Sequence, residues 1–312
     1  MANKVEVLLK NIATLGEGPV WDSEEKILYF VDIDGCKINI YNPKTRKNKQ
    51  IKTPGKIGMM SLCLSKDILM CAIEKNVYEY NLADKKFTPL FPEDIFTEAV
   101  RFNDGKCDRL GRLYIGSLDF SGEKKAELYL ISIKMAIIDT EEKLLSAVFD
   151  GAPKRIIVEL CEKDISISNG IAFSNDRKYM YYIDTPTGFI WRYDYDEPMG
   201  IIENRTAVID YREEKGSFDG MTIDSEGALW VASWGGFSVT KYDPVSGKKL
   251  EVIELPVPNV TSCEFGGEDL TTLFITTAGG ADEKLKSEYP LSGSLFAVET
   301  DVKGVKSNRF NL

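Results

Sequence analysis

Short apolar runs separated by turn clusters recur six times along the chain. In four repeats the first run carries a polar residue near its start: Glu17 in EGPVWD, Asn103 in NDGKCD, Asn169 in NGIAFS and Asp219 in DGMTID. Met60 in MSLCLS and Thr261 in TSCEFG occupy the same register in the other two. The spacing is close to the roughly 40–50 residues of a four-stranded propeller blade, apart from one longer gap between Asn103 and Asn169. A second apolar run follows each register, over 27–31, 68–72, 113–115, 179–183, 229–232 and 273–276. Turn clusters such as DRLGR, SNDRK and DSEGA precede most of these runs, so the first two runs of each repeat predict antiparallel strands joined tightly.

Third runs alternate apolar and polar residues: KINIYN (37–42), NVYEYN (76–81), ELYLIS (127–132), FIWRYD (189–194), SVTKYD (238–243) and SLFAVE (294–299). Period-two alternation predicts a sheet with one buried and one less buried face. Fourth strands are clearest at RIIVEL (155–160), TAVIDY (206–211) and LEVIEL (250–255). The sixth repeat has no obvious last strand, and VEVLL (5–9) is free to supply it, closing the ring and hiding an edge. The expectation is an all-β chain: a six-bladed β-propeller of four-stranded antiparallel blades, its register residues gathered at the channel mouth around a central metal site. Repeats without a linker predict a single domain over 1–312. The long gap holds an insertion at about 133–154, which reads as a surface helix or an extended hairpin that could overhang the channel.

An Asn-Gly or Asp-Gly pair taken singly is an ordinary turn signal. Coincidence at one register in several blades points instead to a shared site. Carboxylates and amides gathered there, in a chain with no histidine, predict an oxygen-ligated metal ion and exclude a Ser-His-Asp triad.

Composition adds constraints. A hydrophobic share of 43% and a charged share of 28% are those of an ordinary soluble chain with a large core, and no run approaches a membrane-spanning length. The polar start MANKVEVLLKNIATLGEG predicts no export signal. A net charge of −10 opposes nucleic-acid binding. Cysteines at 36, 63, 71, 107, 161 and 263 form no CxxC pair, and several fall in predicted strands, consistent with reduced thiols in a cytoplasm. Cys107 and Cys263 lie in or beside motif segments, but thiolate activation without histidine would need lysine, arginine or a helix terminus.

Taken together, LGEGPVWD (15–22), RFNDGKCDRLGRLYIG (101–116), SNGIAFSND (168–176), FDGMTID (218–224), LWVASWGG (229–236), TSCEFGG (261–267) and LFITTA (273–278) resemble the regucalcin, gluconolactonase and luciferin-regenerating family of six-bladed propellers. The resemblance covers essentially the whole chain. It implies one divalent cation (Ca, Zn, Mn or Mg) held by Glu17, Asn169 and Asp219, and three protein ligands leave positions open for water or substrate. It also implies substrate contacts from Arg101 and Asn103, which stand two residues apart and can face the same side of a strand. A further acidic contact belongs in the loop GSLDFSGEKKAE, where Asp119 is the nearest candidate and Ser121 a non-acidic replacement.

The expected activity is a metal-dependent lactonase, a carboxylic ester hydrolase opening a small-molecule sugar-acid lactone, with Asp219 both as ligand and as the catalytic base. Calcium binding without turnover, phosphotriester hydrolysis and a protein-interaction platform are the alternatives. No residue pattern identifies the oligomeric state.

Overall fold

The structure is a computed structural model that describes residues 4–92, 99–135, 145–149, 152–280 and 283–312. Six antiparallel sheets succeed one another and form a six-bladed β-propeller. The first strand of each blade is innermost: Gly16–Asp22, Ile57–Leu62, Arg101–Cys107, Ser168–Phe173, Ser217–Ile223 and Val260–Gly266. Each touches the inner strand of the blade on either side, and the last touches the first, so the ring closes around an axis. The closure uses the N-terminal strand Glu6–Leu9, which pairs antiparallel with Leu295–Glu299 as the fourth strand of blade 6. Both ends of the chain are thereby stitched into one sheet.

The apolar residues explain the stacking. Among the described residues six buried clusters stand, one between each pair of neighbouring blades. Alternation in the strand Ile27–Asp32 shows how: Leu28 and Phe30 pack toward blade 6, whereas Tyr29 and Val31 pack toward blade 2. A blade in a ring has a neighbour on each face, so its inner strands are buried on both. That differs from the one-sided burial the alternation alone predicts. The strands farthest from the axis are the polar ones, such as Lys47–Lys52 (KNKQIK).

Of the two readings of the insertion, the hairpin is the one observed. Ala126–Met135 runs on beyond the length of its counterparts against Ala152–Ile165, and Leu145–Phe149 adds a fifth strand at the outer edge of blade 3. That edge faces away from the axis. Residues 136–144 and 150–151, and the part of the insertion they form, lie outside the described residues.

At the far end of blades 1, 3 and 5 an aspartate anchors the first hairpin. Asp22 accepts from the Glu24 and Glu25 amides, Asp108 from the Leu110 and Arg112 amides, and Asp224 from the Glu226 and Ala228 amides. Asp224 is fully buried, and its second oxygen takes Lys241 Nζ and Trp230 Nε1, each at 2.9 Å. Removing one partner of such a pair strands the other charge away from water. Asp224→Ala is expected to lower unfolding free energy by about 3–5 kcal/mol, with Asp224→Asn costing less because it keeps an acceptor for the turn amides. Urea denaturation of the two variants beside the parent checks this; equal midpoints would show that the pair is not needed.

Candidate functional site

All six inner strands break their ladder at one level. Between Glu17 and Val20, Ile57 and Met59, Phe102 and Gly105, Ser168 and Ile171, Phe218 and Met221, and Val260 and Ser262, one extra residue is inserted relative to the partner strand. A bulge kinks a strand and re-aims the residues inside it. Here they are Asn103 with Asp104, Asn169 with Gly170, and Asp219 with Gly220. The Asn-Gly and Asp-Gly pairs are therefore not hairpin turns. At Gly170 a Cβ would lie 2.9 Å from the Asp219 carbonyl oxygen, and at Gly220 it would lie 2.2 Å from Ser262 Oγ, so only glycine lets neighbouring inner strands approach this closely. The bulge also corrects one register position. In blade 2 the inserted residue is Gly58, and Met60 lies two residues on, buried in the cluster between blades 1 and 2. Thr261 does sit in the bulge of blade 6, where its hydroxyl donates to the Gly16 carbonyl at 2.5 Å.

Glu17 and Asp219 lie far apart in the sequence and meet at the axis, close enough for their carboxyl groups to hydrogen-bond one another. Burial and the nearby Asp104 carboxylate push Glu17 up to about 8, against the Gly18 amide that donates to it, the Arg101 charge and the hydrogen bond with Asp219. Burial and the Glu17 and Asp104 charges raise Asp219 well above the usual carboxylate range. Asp104 is itself raised by burial, against the pull of Lys106 and the Gly105 amide.

A directed chain of hydrogen bonds flanks this pair. Arg101 Nη1 donates to Asn103 Oδ1 at 2.7 Å, and Asn103 Nδ2 donates to Asn169 Oδ1 at 3.0 Å and to the Ser168 carbonyl at 2.7 Å. Asn169 Nδ2 donates to Thr185 Oγ1 at 2.7 Å. Arg101, Asn103 and Asn169 are all buried, and burial lowers the Arg101 pKa, which the Glu17 charge partly offsets. Arg101 and Asn103 thus face the same side, as their spacing predicts.

Asp119 lies just past the strand Leu113–Leu118, whose last residue pairs with Arg101. Its oxygens accept from the Ser121 amide and hydroxyl and the Lys125 amide, which closes its own loop and holds its pKa below the usual value. Its carboxylate is engaged with the loop, which makes it a support for the rim.

The six cysteines are free thiols. Both Cys107 and Cys263 are buried, and burial pushes Cys107 up to about 12 and raises Cys263 as well, which disfavours the thiolate that a nucleophile needs.

The sequence pattern did not single out Asp104, Lys106, Glu264 or Thr185. Strict alternation would turn Asp104 away from Asn103, and the bulge is what brings both inward. Below Asp104, Lys106 Nζ bonds Glu264 at 3.1 Å, and Glu264 also accepts from Thr222 Oγ1 and the Phe265 amide. A charged residue inside the apolar run TSCEFGG was the available signal for Glu264. A narrow cavity of about 30 Å³ runs from Gly18, Met59 and Asp104 to Ser307 and Asn308. A wider one of about 210 Å³ opens where the inner strands end, lined by Lys106, Arg109, Glu264 and the segment 305–308. That larger cavity lies at the opposite end of the axis from the Glu17–Asp219 pair and is not its mouth.

The donor set fits a divalent cation. Glu17 and Asp219 bring two carboxylates together, Asn169 Oδ1 keeps a second lone pair beyond the bond from Asn103, and all three are oxygen donors suited to a hard or borderline ion. Among the described residues no group of three or more acidic, thiol or imidazole side chains stands in metal-binding geometry. No helix among the described residues is long and apolar enough to cross a membrane.

Known proteins resemble this one in sequence and shape. YvrE of Bacillus subtilis (strain 168), a protein named as a sugar lactone lactonase, is 37% identical over 294 residues, covering 94% of this chain and 93% of YvrE. Regucalcin of Xenopus laevis is 32% identical over 309 residues, covering 98% of each. A luciferin-regenerating enzyme of known structure superposes with a TM-score of 0.85 at 29% identity, over 100% of both chains. Residues 15–279 match the SMP-30/Gluconolactonase/LRE-like region. With nearly the whole fold and all the hub positions inside that span, the chain belongs to the SMP-30, gluconolactonase and luciferin-regenerating enzyme family.

Proposed function

We propose that the protein is a divalent-cation-dependent lactonase that opens the cyclic ester of a sugar acid. The observation carrying this reading is the convergence of Glu17 and Asp219 beside an Asn169 locked to the Arg101–Asn103 pair. A centre that only stored an ion would have no use for a buried guanidinium two residues from a ring amide. The name of the Bacillus relative supports the same substrate class.

Glu17, Asn169 and Asp219 would hold the cation, which when bound supplies Lewis-acid polarisation of the ester carbonyl. Arg101 presents N–H donors in a rigid fork to the hydroxyl or carbonyl oxygens of the lactone, and Asn103 fixes the fork by accepting from it. Asp219 takes the proton of the attacking water as its oxygen bonds to the carbonyl carbon. The ring C–O bond breaks, the ring oxygen leaves as a hydroxyl with that proton, and the product is an open hydroxy acid. Asp119 contributes by closing the loop beside Arg101. The absence of histidine leaves an acidic base as the economical choice in this chain.

Chelator-stripped protein is expected to lose hydrolysis of an aldonolactone panel and to regain it with one of Ca, Zn, Mn or Mg. Asp219→Ala is expected to lower kcat/KM by ~10²–10⁴ even at saturating cation, and Arg101→Ala to act mainly through a raised KM. A pH-stat assay reads all three, and equal rates in stripped, substituted and intact protein would remove the mechanism. Cation binding with no lactone turnover would make this a binding protein instead.

A pH dependence follows from the acidic pair. A carboxyl whose folded-state pKa exceeds its unfolded value favours folding while protonated and opposes it once ionised. Stability of the cation-free protein is therefore expected to fall as pH rises from about 4.5 through about 8, and Glu17→Gln should flatten that fall. Differential scanning fluorimetry in chelator checks it, and added cation should raise Tm most at the alkaline end. A Tm that ignores both pH and cation across this window would contradict the pairing.

A further inference from the structure

Thr185 follows the strand Tyr179–Asp184 and opens a 3-10 turn, Thr185–Thr187, at the mouth side of blade 4. The turn is held firmly. Asp184 accepts from the Ser166 and Ile167 amides, Thr187 Oγ1 donates to the Asp184 carbonyl, and the turn ends at Gly188 with φ of 70°. The Thr185 amide donates to the Ile167 carbonyl at 3.1 Å, which fixes its side chain across the cleft between blades 4 and 5. There its hydroxyl donates to the Phe218 carbonyl at 2.9 Å and accepts from Asn169 Nδ2 at 2.7 Å.

The direction of this chain follows from its two ends. Arg101 is a donor only, and the Phe218 peptide carbonyl is an acceptor only. Each group between them can donate one way and accept the other in a single consistent sense: Arg101 to Asn103 to Asn169 to Thr185 to Phe218. A hydroxyl that spends its one proton on the Phe218 carbonyl can only accept from Asn169. The amide nitrogen of Asn169 is thereby drawn to Thr185, and the oxygen, the only atom of that side chain able to bind a cation, is left on the side of Asn103. Phe218 directly precedes Asp219, so the same hydroxyl ties the peptide of one acidic residue in blade 5 to the amide of blade 4.

We infer that Thr185 is a positioning residue for the cation: through its hydroxyl it fixes which end of the Asn169 amide faces the site and couples Asn169 to the peptide carrying Asp219. This rests on the cation-site reading above. Replacing Thr185 by valine keeps the volume and removes the hydroxyl, leaving Asn169 Nδ2 and the Phe218 carbonyl without that partner. Groups that orient a ligand from behind typically matter ~10–100-fold in metal affinity.

The test is isothermal titration of Ca²⁺, Zn²⁺, Mn²⁺ and Mg²⁺, each in turn, into chelator-stripped full-length protein. Thr185→Val is expected to raise the cation Kd by ~10–100-fold, with Thr185→Ser close to the parent because it restores the hydroxyl. Lactone hydrolysis lost in the valine variant should return as cation is raised, since the reacting groups are intact. Asn169→Ala serves as reference and should weaken binding at least as much. If the valine variant binds like the parent while Asn169→Ala does not, the inference about Thr185 falls and the cation site stands. If both bind like the parent, or the parent binds none of the four ions, the site reading falls with it. A serine variant as weak as valine, or a stripped valine variant that does not fold, would also overturn a role confined to the hydroxyl's place in the site.

Discussion

Six strands must pass one axis, and none can do so at full width. The break in pairing at a common depth resolves that constraint. Each inner strand gives up regular ladder bonds for one extra residue, and the bulge turns polar groups to the centre where a regular strand would send half of them into the neighbouring blade. Glycines at 58, 170 and 220 permit the approach, because a side chain at any of them would overlap the next strand. The hub is consequently built on backbone held by sheets on both sides. Rigid elements place functional groups more reproducibly than loops do.

This geometry gathers like charge. Glu17, Asp219 and Asp104 surround the axis, while Lys106 is drawn down to Glu264 and Arg101 is bound to Asn103 and the Phe102 carbonyl. A buried carboxylate at Asp219 with partly buried ones at Glu17 and Asp104 is unfavourable in the cation-free protein, and Glu17 and Asp219 are both raised above the usual carboxylate range by that desolvation and crowding. The rest of the fold carries that cost. Apolar clusters fill every gap between blades, and at the far end Asp22, Asp108 and Asp224 are saturated by amides and cationic side chains. The aspartates at the two ends of the axis thus play opposite parts: those at the strand ends are paired and stabilising, and those at the bulges are crowded and available for chemistry.

Much of this was legible in the sequence. The repeat spacing fixed six blades, the alternation located their strands, and VEVLL was recognisable as the missing edge of blade 6. Glu17, Asn103, Asn169 and Asp219 were visible because their polarity recurs where apolar residues would otherwise begin a strand. What escaped was whatever depends on a broken period. Met60 took a register that belongs to Gly58, since a bulge of one residue cannot be read from spacing, and a glycine offers no polarity to notice. Asp104 was hidden by the rule that neighbours on a strand face opposite ways. Thr185 lies in a turn outside every repeat motif, and its importance comes only from which blades meet there. The C-terminal segment escaped for a related reason: it pairs by isolated bridges, Gly304 to Asp224 and Phe310 to Cys63, too short to leave a pattern.

That segment covers one end of the axis and so bears on the side from which the proposed substrate would reach the hub. Asn308 Nδ2 donates to the Cys107 carbonyl, Arg309 bonds Asp22 and the Cys63 carbonyl, and Phe310 is buried among side chains of blades 2 and 3. The strap therefore crosses the end of the axis where the inner strands finish, and the passage above it is wide enough for little more than water. On the proposed lactonase reading, a ring-shaped ester would reach the hub from the other end, among the loops that follow the second strands and carry Asp119 and Thr185. The groups that shape the mouth and the groups that orient Asn169 thus share one face of the propeller. If the proposed function holds, a change in loop sequence there would alter which lactone enters without disturbing the bulges, whereas the Asn169 amide is held by one loop residue, Thr185. On the proposed cation-site reading, the sheets fix where Glu17, Asn169 and Asp219 stand, and the loop of blade 4 fixes which atom of Asn169 is presented.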